Sequence, residues 1–414
     1  MNGNDTIDEK NRCENITDVI SLCGGGIPAI YYGTGILYGL HKANKLLEAD
    51  DSGKLILAKH LLITSSSGGM VPLILLQCVL TNQLHINDYN WFENYIINTI
   101  DKLNTLLMAK MYGASYLKSI GVYSPYGKEL VRISNEVITD IFRIVLPKEF
   151  INSDPLVFYN TSCCQYRYNY VVDSVNSDSP VVSNDFTHLN NLNILTQLSE
   201  LFTACCIPIS FSYLIDGTLN DAALLIDNDI LALDSYPNLK GIYYYSLNAY
   251  DKKTNAAYKE PGAFTLKTFN NRSRRIYNYR AIYNLRTYVC RRNDKNGNSD
   301  VKFNLIVFPN KFDPIRKYNN KIYNDLVPAI FLQNDFSEFV SFLGIFNGDE
   351  RFITLFLLIG AFESMYINKI PYEDSDKLTS TLSNVYKEVL TNPYDIYFKR
   401  DPLSVISRLI PNIF

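Results

Sequence analysis

Two short stretches of small residues carry the chemistry of this 414-residue chain. The first is Gly24-Gly25-Gly26, which follows the apolar run Ile20 to Cys23 and precedes apolar residues at helical spacing. Consecutive glycines in that position let several backbone N–H groups converge on an anion at a helix N-terminus. The spacing is not G-x-G-x-x-G and no G-K-[ST] follows, so nucleotide binding is disfavoured. The second stretch is Ser65-Ser66-Ser67-Gly68-Gly69. A nucleophile elbow holds its nucleophile at a strained apex between very small neighbours, usually as G-x-S-x-G. Here the first glycine is relaxed to Ser65. An apex at Ser66 would put the β-branched Thr64 at the tightest point, so Ser67 is the better nucleophile. A serine-rich turn without chemistry is the competing reading.

The base that would activate Ser67 is constrained by the scarcity of histidine. There are four, His41, His60, His85 and His188, and none follows residue 188. A triad in the order Ser…Asp…His needs a histidine after its acid. No strand-end acid stands out between Ser67 and His188. A carboxylate acting directly on the serine is the route left open. Asp216 follows an apolar run and precedes Gly217, as a residue presented at a strand end does. The four histidines read as structural or surface residues.

These residues need elements to position them. Ile20 to Cys23 reads as a strand, and Ala29 to Leu47 as a helix with Ile30, Gly33, Ile36, Leu37, Leu40 and Leu47 at helical spacing. Lys54 to Thr64 reads as a second strand, Ser65 to Gly69 as a turn and Met70 to Val79 as a buried helix. Two successive strand–turn–helix units predict an α/β fold with a parallel sheet and crossover helices. Residues 86–145 read as mostly helical, with the stripes Phe92, Ile96, Ile100, Leu103, Leu107 and Leu130, Ile133, Val137, Ile141, Phe142. Leu156 to Asn160, Tyr168 to Asp173, Ile242 to Leu247 and Val301 to Phe308 read as strands, and Leu189 to Leu201 as a helix. Residues 1–17 read as a polar lead-in and 311–414 as a helical C-terminal region.

A formal net charge of −3 argues against a general nucleic-acid binder, and 47 % apolar residues argue against wholesale disorder. That balance hides a local band, Lys267 to Lys295, where Arg272, Arg274, Arg275, Arg280, Arg286, Arg291 and Arg292 alternate with Tyr277, Tyr279, Tyr283 and Tyr288. Such mixing suits anionic lipid headgroups or single-stranded nucleic acid. A solvated helix-plus-hairpin insertion with tyrosines packed on the body is the plainer alternative. The eight cysteines form no C-x-x-C and lie at no zinc spacing from histidine, so they read as buried thiols of a reducing compartment, and no metal is expected. No calcium-binding pattern of acidic residues appears. The N-terminus lacks a signal-peptide pattern, and the apolar runs Leu61 to Leu80 and Phe352 to Ala361 read as core rather than as membrane spans. A cytoplasmic protein, able to act peripherally at membranes, is therefore expected. Abundant Asn, Ile, Tyr and Lys reflect the codon bias of an AT-rich genome.

With these residues in place, the chain resembles the patatin-like phospholipases, serine acyl hydrolases that use a Ser–Asp dyad without histidine. Ile20-Ser21-Leu22-Cys23-Gly24-Gly25-Gly26-Ile27 corresponds to their glycine-rich oxyanion loop, Ser65 to Gly69 to their elbow, and Leu214-Ile215-Asp216-Gly217-Thr218 to their late aspartate motif. Thr203-Ala204-Cys205-Cys206-Ile207-Pro208 is similar to the small-residue segment that comes before that aspartate. The likeness covers residues 19–250. It implies a three-layer α/β fold, a central mostly parallel sheet flanked by helices, over 18–310, with insertions at 86–145 and 251–300 and a helical C-terminal extension. It also implies Ser67 and Asp216 as the catalytic pair and the amides of Gly24, Gly25, Gly26 and Gly68 as the oxyanion hole. Phospholipid or acylglycerol substrates at a membrane surface, and no cofactor, follow from the same likeness. Acyl transfer would use the same parts. Cys23 stands where the family has Asp, Pro28-Ala29 where it has Arg-Gly, Ser65 for the first elbow Gly, and Thr218 for the last residue of the aspartate motif. A catalytically silent lipid-binding or scaffold module on the same fold is the alternative. Arg272, Arg274 and Arg275 are the candidate membrane contacts.

Overall fold

The computed structural model describes residues 13–24, 26–84, 86, 90–103, 139–140, 142–158, 165–172, 181–183, 185–206, 219–221, 231–246, 283–294 and 300–307, with Leu357, Gly360, Ala361 and Ser364. Asp216, Gly25, Arg272, Arg274 and Arg275 lie outside these residues. So do His85, the second helical stripe except Phe142, Pro208 to Ile215, and most of residues 311–414.

The first strand, β1 (Asp18–Leu22), lies at the centre of the sheet. It pairs in parallel with β4 (Leu61–Ser66) on one side and β8 (Gly241–Ser246) on the other. β5 (Tyr166–Val172) continues the parallel sheet beyond β4, and β9 (Lys302–Val307) continues it beyond β8. Two short antiparallel strands, β6 (Val181–Ser183) and β7 (Leu219–Asp221), both pair with Tyr170 to Val172 of β5. The result is a mostly parallel central sheet in an α/β arrangement. Every residue of β4, and four of the five in β1, is buried, as central parallel strands covered on both faces must be.

The chain builds outward from β1 through β4 to β5, then returns to the other side of β1 to add β8 and β9. In open α/β sheets a reversal of this kind opens a crevice beyond the carboxyl ends of the strands, where ligands bind.

Helix α1 (Gly26–Lys42) follows β1 and packs on helix α2 (Met70–Asn82), which follows β4. α2 is apolar all round, and ten of its residues are buried. The expected continuation of α1 to Leu47 does not occur. Asn44 takes a left-handed φ of 54° and ends the helix, and Leu47 enters β2 (Leu47–Ala49), which forms a hairpin with β3 (Leu55–Leu57). Within the hairpin turn the Asp50 carboxylate accepts from the Ser52 and Lys54 backbone amides. The single strand expected over Lys54 to Thr64 is therefore two, β3 and β4, separated at Ala58 to His60.

Two further expectations are corrected. Leu156 to Phe158 is no strand, and side-chain amides take the place of a neighbouring strand. Gln197 accepts from Leu156 N and donates to Leu156 O, while Asn190 does the same for Phe158. Helix α3 runs over Ile194–Cys206 rather than from Leu189. Thr187–Asn191 is a separate 3-10 turn, and Asn193 Oδ1 accepts from Thr196 N as a cap. In the helical segment 91–103, the predicted stripe of Phe92, Ile96, Ile100 and Leu103 is buried.

The arginine–tyrosine band is partly turned inward. Residues 283–294 form a helix, α4, whose Tyr283 is 58 % exposed while Leu285, Val289 and Arg292 are buried. The Arg292 guanidinium donates to Leu233 O at 2.8 Å, to the Tyr288 hydroxyl at 2.7 Å, and to Tyr236 O and Pro237 O. Arg292 and Tyr288 thus clamp the 233–237 turn instead of facing a ligand. Among the cysteines, Cys23 and Cys78 are buried free thiols and Cys290 is an exposed one. Cys13, in contrast with the expected set of free thiols, is disulfide-bonded. Among the described residues no helix is long and apolar enough to cross a membrane.

Candidate active site

The turn after β4 reverses the chain within one residue. Ser66 is extended, with φ −136° and ψ 152°, whereas Ser67 takes φ 49°. Gly69 is already helical at φ −64° and ψ −17°, and α2 begins at Met70. A left-handed backbone at a non-glycine residue costs about 1–3 kcal/mol and persists only where its surroundings enforce it. Packing enforces it here. A Cβ on Gly69 would lie 2.6 Å from Cys23 O and 3.3 Å from Leu22 Cβ, so the turn sits directly against the end of β1. Gly33 of α1 presses from the other side, its own Cβ position 3.3 Å from Pro72 Cγ and 3.9 Å from Gly69 Cα. Ser65, in place of the usual small glycine, donates its hydroxyl to Arg167 O on β5 at 3.4 Å. Ser67 itself is 5 % exposed.

Leu22 of β1 is register-paired with Ser65 of β4, so Gly24 leaves the sheet level with Ser67. Cys23 N donates to Tyr245 O at 3.2 Å, which ties the start of the glycine loop to β8. Gly26 opens α1, and the first backbone amides of that helix have no partner within it. Pro28 falls in the first turn, where a missing N–H breaks no helical bond. Gly24, Gly26, Ser67 and Gly68 therefore gather at the carboxyl edge of β1 and β4, with a helix N-terminus suited to negative charge beside them.

Asp216 precedes β7 by three residues, a span of at most about 10–11 Å. β7 pairs with Tyr170 to Val172 of β5, immediately beyond the Ser66–Asn169 register pair where β4 ends. Helix α3 packs against both β7 and the Ser67–Gly69 turn.

Period-2 alternation sorts the sheet into two faces. Leu22, Ser65, Tyr168 and Tyr245 are register partners on the face covered by α1 and α2. Leu22 Cδ1 lies 3.6 Å from the Gly33 Cβ position, the Tyr168 hydroxyl donates to Gln77 Oε1 at 2.5 Å, and the Tyr245 ring meets Tyr32 edge-on. The opposite face carries Ser21, Thr64, Arg167 and Tyr244 in one row and Ser66 with Asn169 nearer the carboxyl edge. All are buried. Among the described residues, Ser21 Oγ and both polar atoms of Asn169 have no hydrogen-bond partner. Sequence reasoning missed Asn169. The signal was the Tyr-Arg-Tyr-Asn-Tyr alternation of β5, which in isolation reads as a strand with a wet polar face.

Of the described histidines, His60 caps the amino edge of the sheet, where its carbonyl accepts from Thr17 N and Asp18 N. His41 lies near the far end of α1 from the glycine loop, its ring stacked on Phe92 and edge-on to Trp91. Burial there, aided by the Lys42 charge, lowers its pKa to about 4. His188 sits beside Phe186.

No protein-family model matches this chain, and no curated protein matches it by sequence.

Proposed function

We propose that this protein is a patatin-like serine acyl hydrolase, a phospholipase or acylglycerol lipase, acting on fatty-acyl esters at a membrane surface through Ser67 and Asp216. The observation that carries the reading is the left-handed backbone of Ser67 at an abrupt strand-to-helix turn, level with the glycine loop of the neighbouring central strand. A strained serine in that position, beside a helix N-terminus whose first amides have no intrahelical partner, supports acyl transfer.

In the proposed mechanism Ser67 Oγ attacks the ester carbonyl carbon as the Asp216 carboxylate takes its proton. The amides of Gly24, Gly25, Gly26 and Gly68 hold the oxyanion. The tetrahedral intermediate collapses, the C–O bond to the alcohol breaks, and Asp216 returns the proton to the leaving alkoxide. Water then attacks the acyl-serine, gives its proton to Asp216, and Ser67 regains that proton as the fatty acid leaves. No metal or cofactor enters any step.

The low exposure of Ser67 favours a second reading, a silent lipid-binding or scaffold module. Reaction with a fluorophosphonate probe separates the two. The hydrolase is expected to be labelled covalently at Ser67 and to turn over a short-chain ester. Ser67→Ala should lose both, and Asp216→Asn should lose at least 10³-fold in kcat on the scale of removing a general base (roughly 10²–10⁴) plus misaligning the nucleophile. Wild-type protein that is neither labelled nor active leaves the silent module standing.

A further inference from the structure

Asn169 is the feature of the sheet least explained by folding. It is 1 % exposed, and neither its Nδ2 nor its Oδ1 finds a partner among the described residues. Buried polar groups are almost always hydrogen-bonded, and the exceptions mark a ligand, an ordered water or a functional strain. Its position narrows the choice. It is the last β5 residue paired to β4, opposite Ser66, and the next residue of β4's chain is the strained Ser67. Beyond it Tyr170 pairs with Asp221 of β7. Asn169 therefore stands at the carboxyl edge, between the serine turn and the strand that follows the proposed base.

The chemistry of the side chain narrows it further. A carboxamide offers donors on one atom and an acceptor on the other. An ester carbonyl or a phosphate oxygen accepts only, and would leave Oδ1 unpaired. A hydroxyl both donates and accepts, and so satisfies both atoms. We infer that Asn169 recognises a free hydroxyl on the alcohol portion of the ester, which makes partially acylated polyols the preferred substrates of the Ser67 site. This rests on the hydrolase reading and names the substrate class within it. A pocket built around a hydroxyl discriminates strongly against the analogue that lacks it, because the protein groups are then left unpaired.

The test compares 1-monobutyrin with propyl butyrate, which differ only in the two hydroxyls of the alcohol. Wild-type protein is expected to favour monobutyrin at least tenfold in kcat/KM. Asn169→Leu, near-isosteric and apolar, should bring that ratio to within twofold of one without lowering Tm, since it removes an unpaired buried group. Equal ratios in wild type and variant, or no preference in wild type, would overturn the assignment while leaving the hydrolase intact. A fall in Tm with an unchanged ratio would show a purely structural asparagine and overturn it equally. If Asn169→Leu does not fold, Asn169→Ala carries the same comparison. Wild-type protein that hydrolyses neither ester and takes no fluorophosphonate at Ser67 removes the hydrolase reading itself, and this inference with it.

Discussion

The two faces of the central sheet are both buried, yet they are built differently. The face under α1 and α2 is lined by Leu22, Ser65, Tyr168 and Tyr245, where the Tyr168 phenol donates to Gln77 of α2 and the Ser65 hydroxyl to Arg167 O of β5. The face behind it presents Ser21, Thr64, Arg167, Ser66 and Asn169 at the same depth. The first face is a packing surface, in which Leu22 and aromatic rings meet the two helices. On the second, Ser21 Oγ and both polar atoms of Asn169 have no partner among the described residues, and Asn169 lies at the edge where Ser67 turns. One sheet thus separates scaffold from candidate chemistry by the alternation of its side chains.

The comparison breaks most violently at the junction of the two faces. Gly69→Val would drive a side chain into the Cys23 carbonyl and Leu22, so the turn could not close against β1. Backbone contacts of that kind have no flexible end to yield. A loss of at least about 3 kcal/mol, in the range of severe overpacking, is expected in urea unfolding. A variant within 1 kcal/mol of wild type would mean that the turn tolerates a shift and that its strain is not enforced.

The apolar layer over the first face should reject charge. His41 there titrates at about 4 against 6.5 for an unperturbed histidine. Between those values the unfolded chain binds the proton and the folded chain does not. Stability should therefore fall as pH drops from 6.5 through 4, and the full loss is reached below 4. The ring is only half-buried, so screening reduces the effect to about 2 kcal/mol. His41→Phe, which keeps the stack on Phe92, should flatten the pH dependence of unfolding across that window by this amount. Parallel curves for the two proteins would contradict the burial of a neutral imidazole.

The smallest expected change sharpens the other face. Ser21→Ala removes a buried hydroxyl with no partner among the described residues. Stability should stay within about 0.5 kcal/mol of wild type or rise, whereas a hydrogen-bonded buried hydroxyl typically costs about 1 kcal/mol when deleted. A clear loss in thermal unfolding would show that the polar row is internally satisfied.

Much of the framework is legible in the residues. The glycine loop before α1 and the serine turn before α2 lie where local spacing put them, because glycine placement and helical periodicity are local properties. Ser67 rather than Ser66 takes the left-handed φ, as the sterics of Thr64 suggested. Other segments misled for identifiable reasons. Leu156 has the composition of a strand, but its partner is the Gln197 side chain of a helix 41 residues away. Arg292 reads as part of a charged band, but it spends its guanidinium on the carbonyls of Leu233, Tyr236 and Pro237. Asn169 alternates with tyrosines, and nothing local announces that both sides of its strand are covered.

Sequence alone therefore determined two strand–turn–helix units, the small residues at each turn, and the absence of histidine after position 188. Tertiary structure decided that Leu22 pairs with Ser65, which brings the glycine loop level with Ser67, and that a polar row is sealed inside the sheet. The reason is that parallel pairing joins strands through long crossover connections. Register is then set by how whole faces pack, and a shift of one residue would exchange the two faces of the sheet.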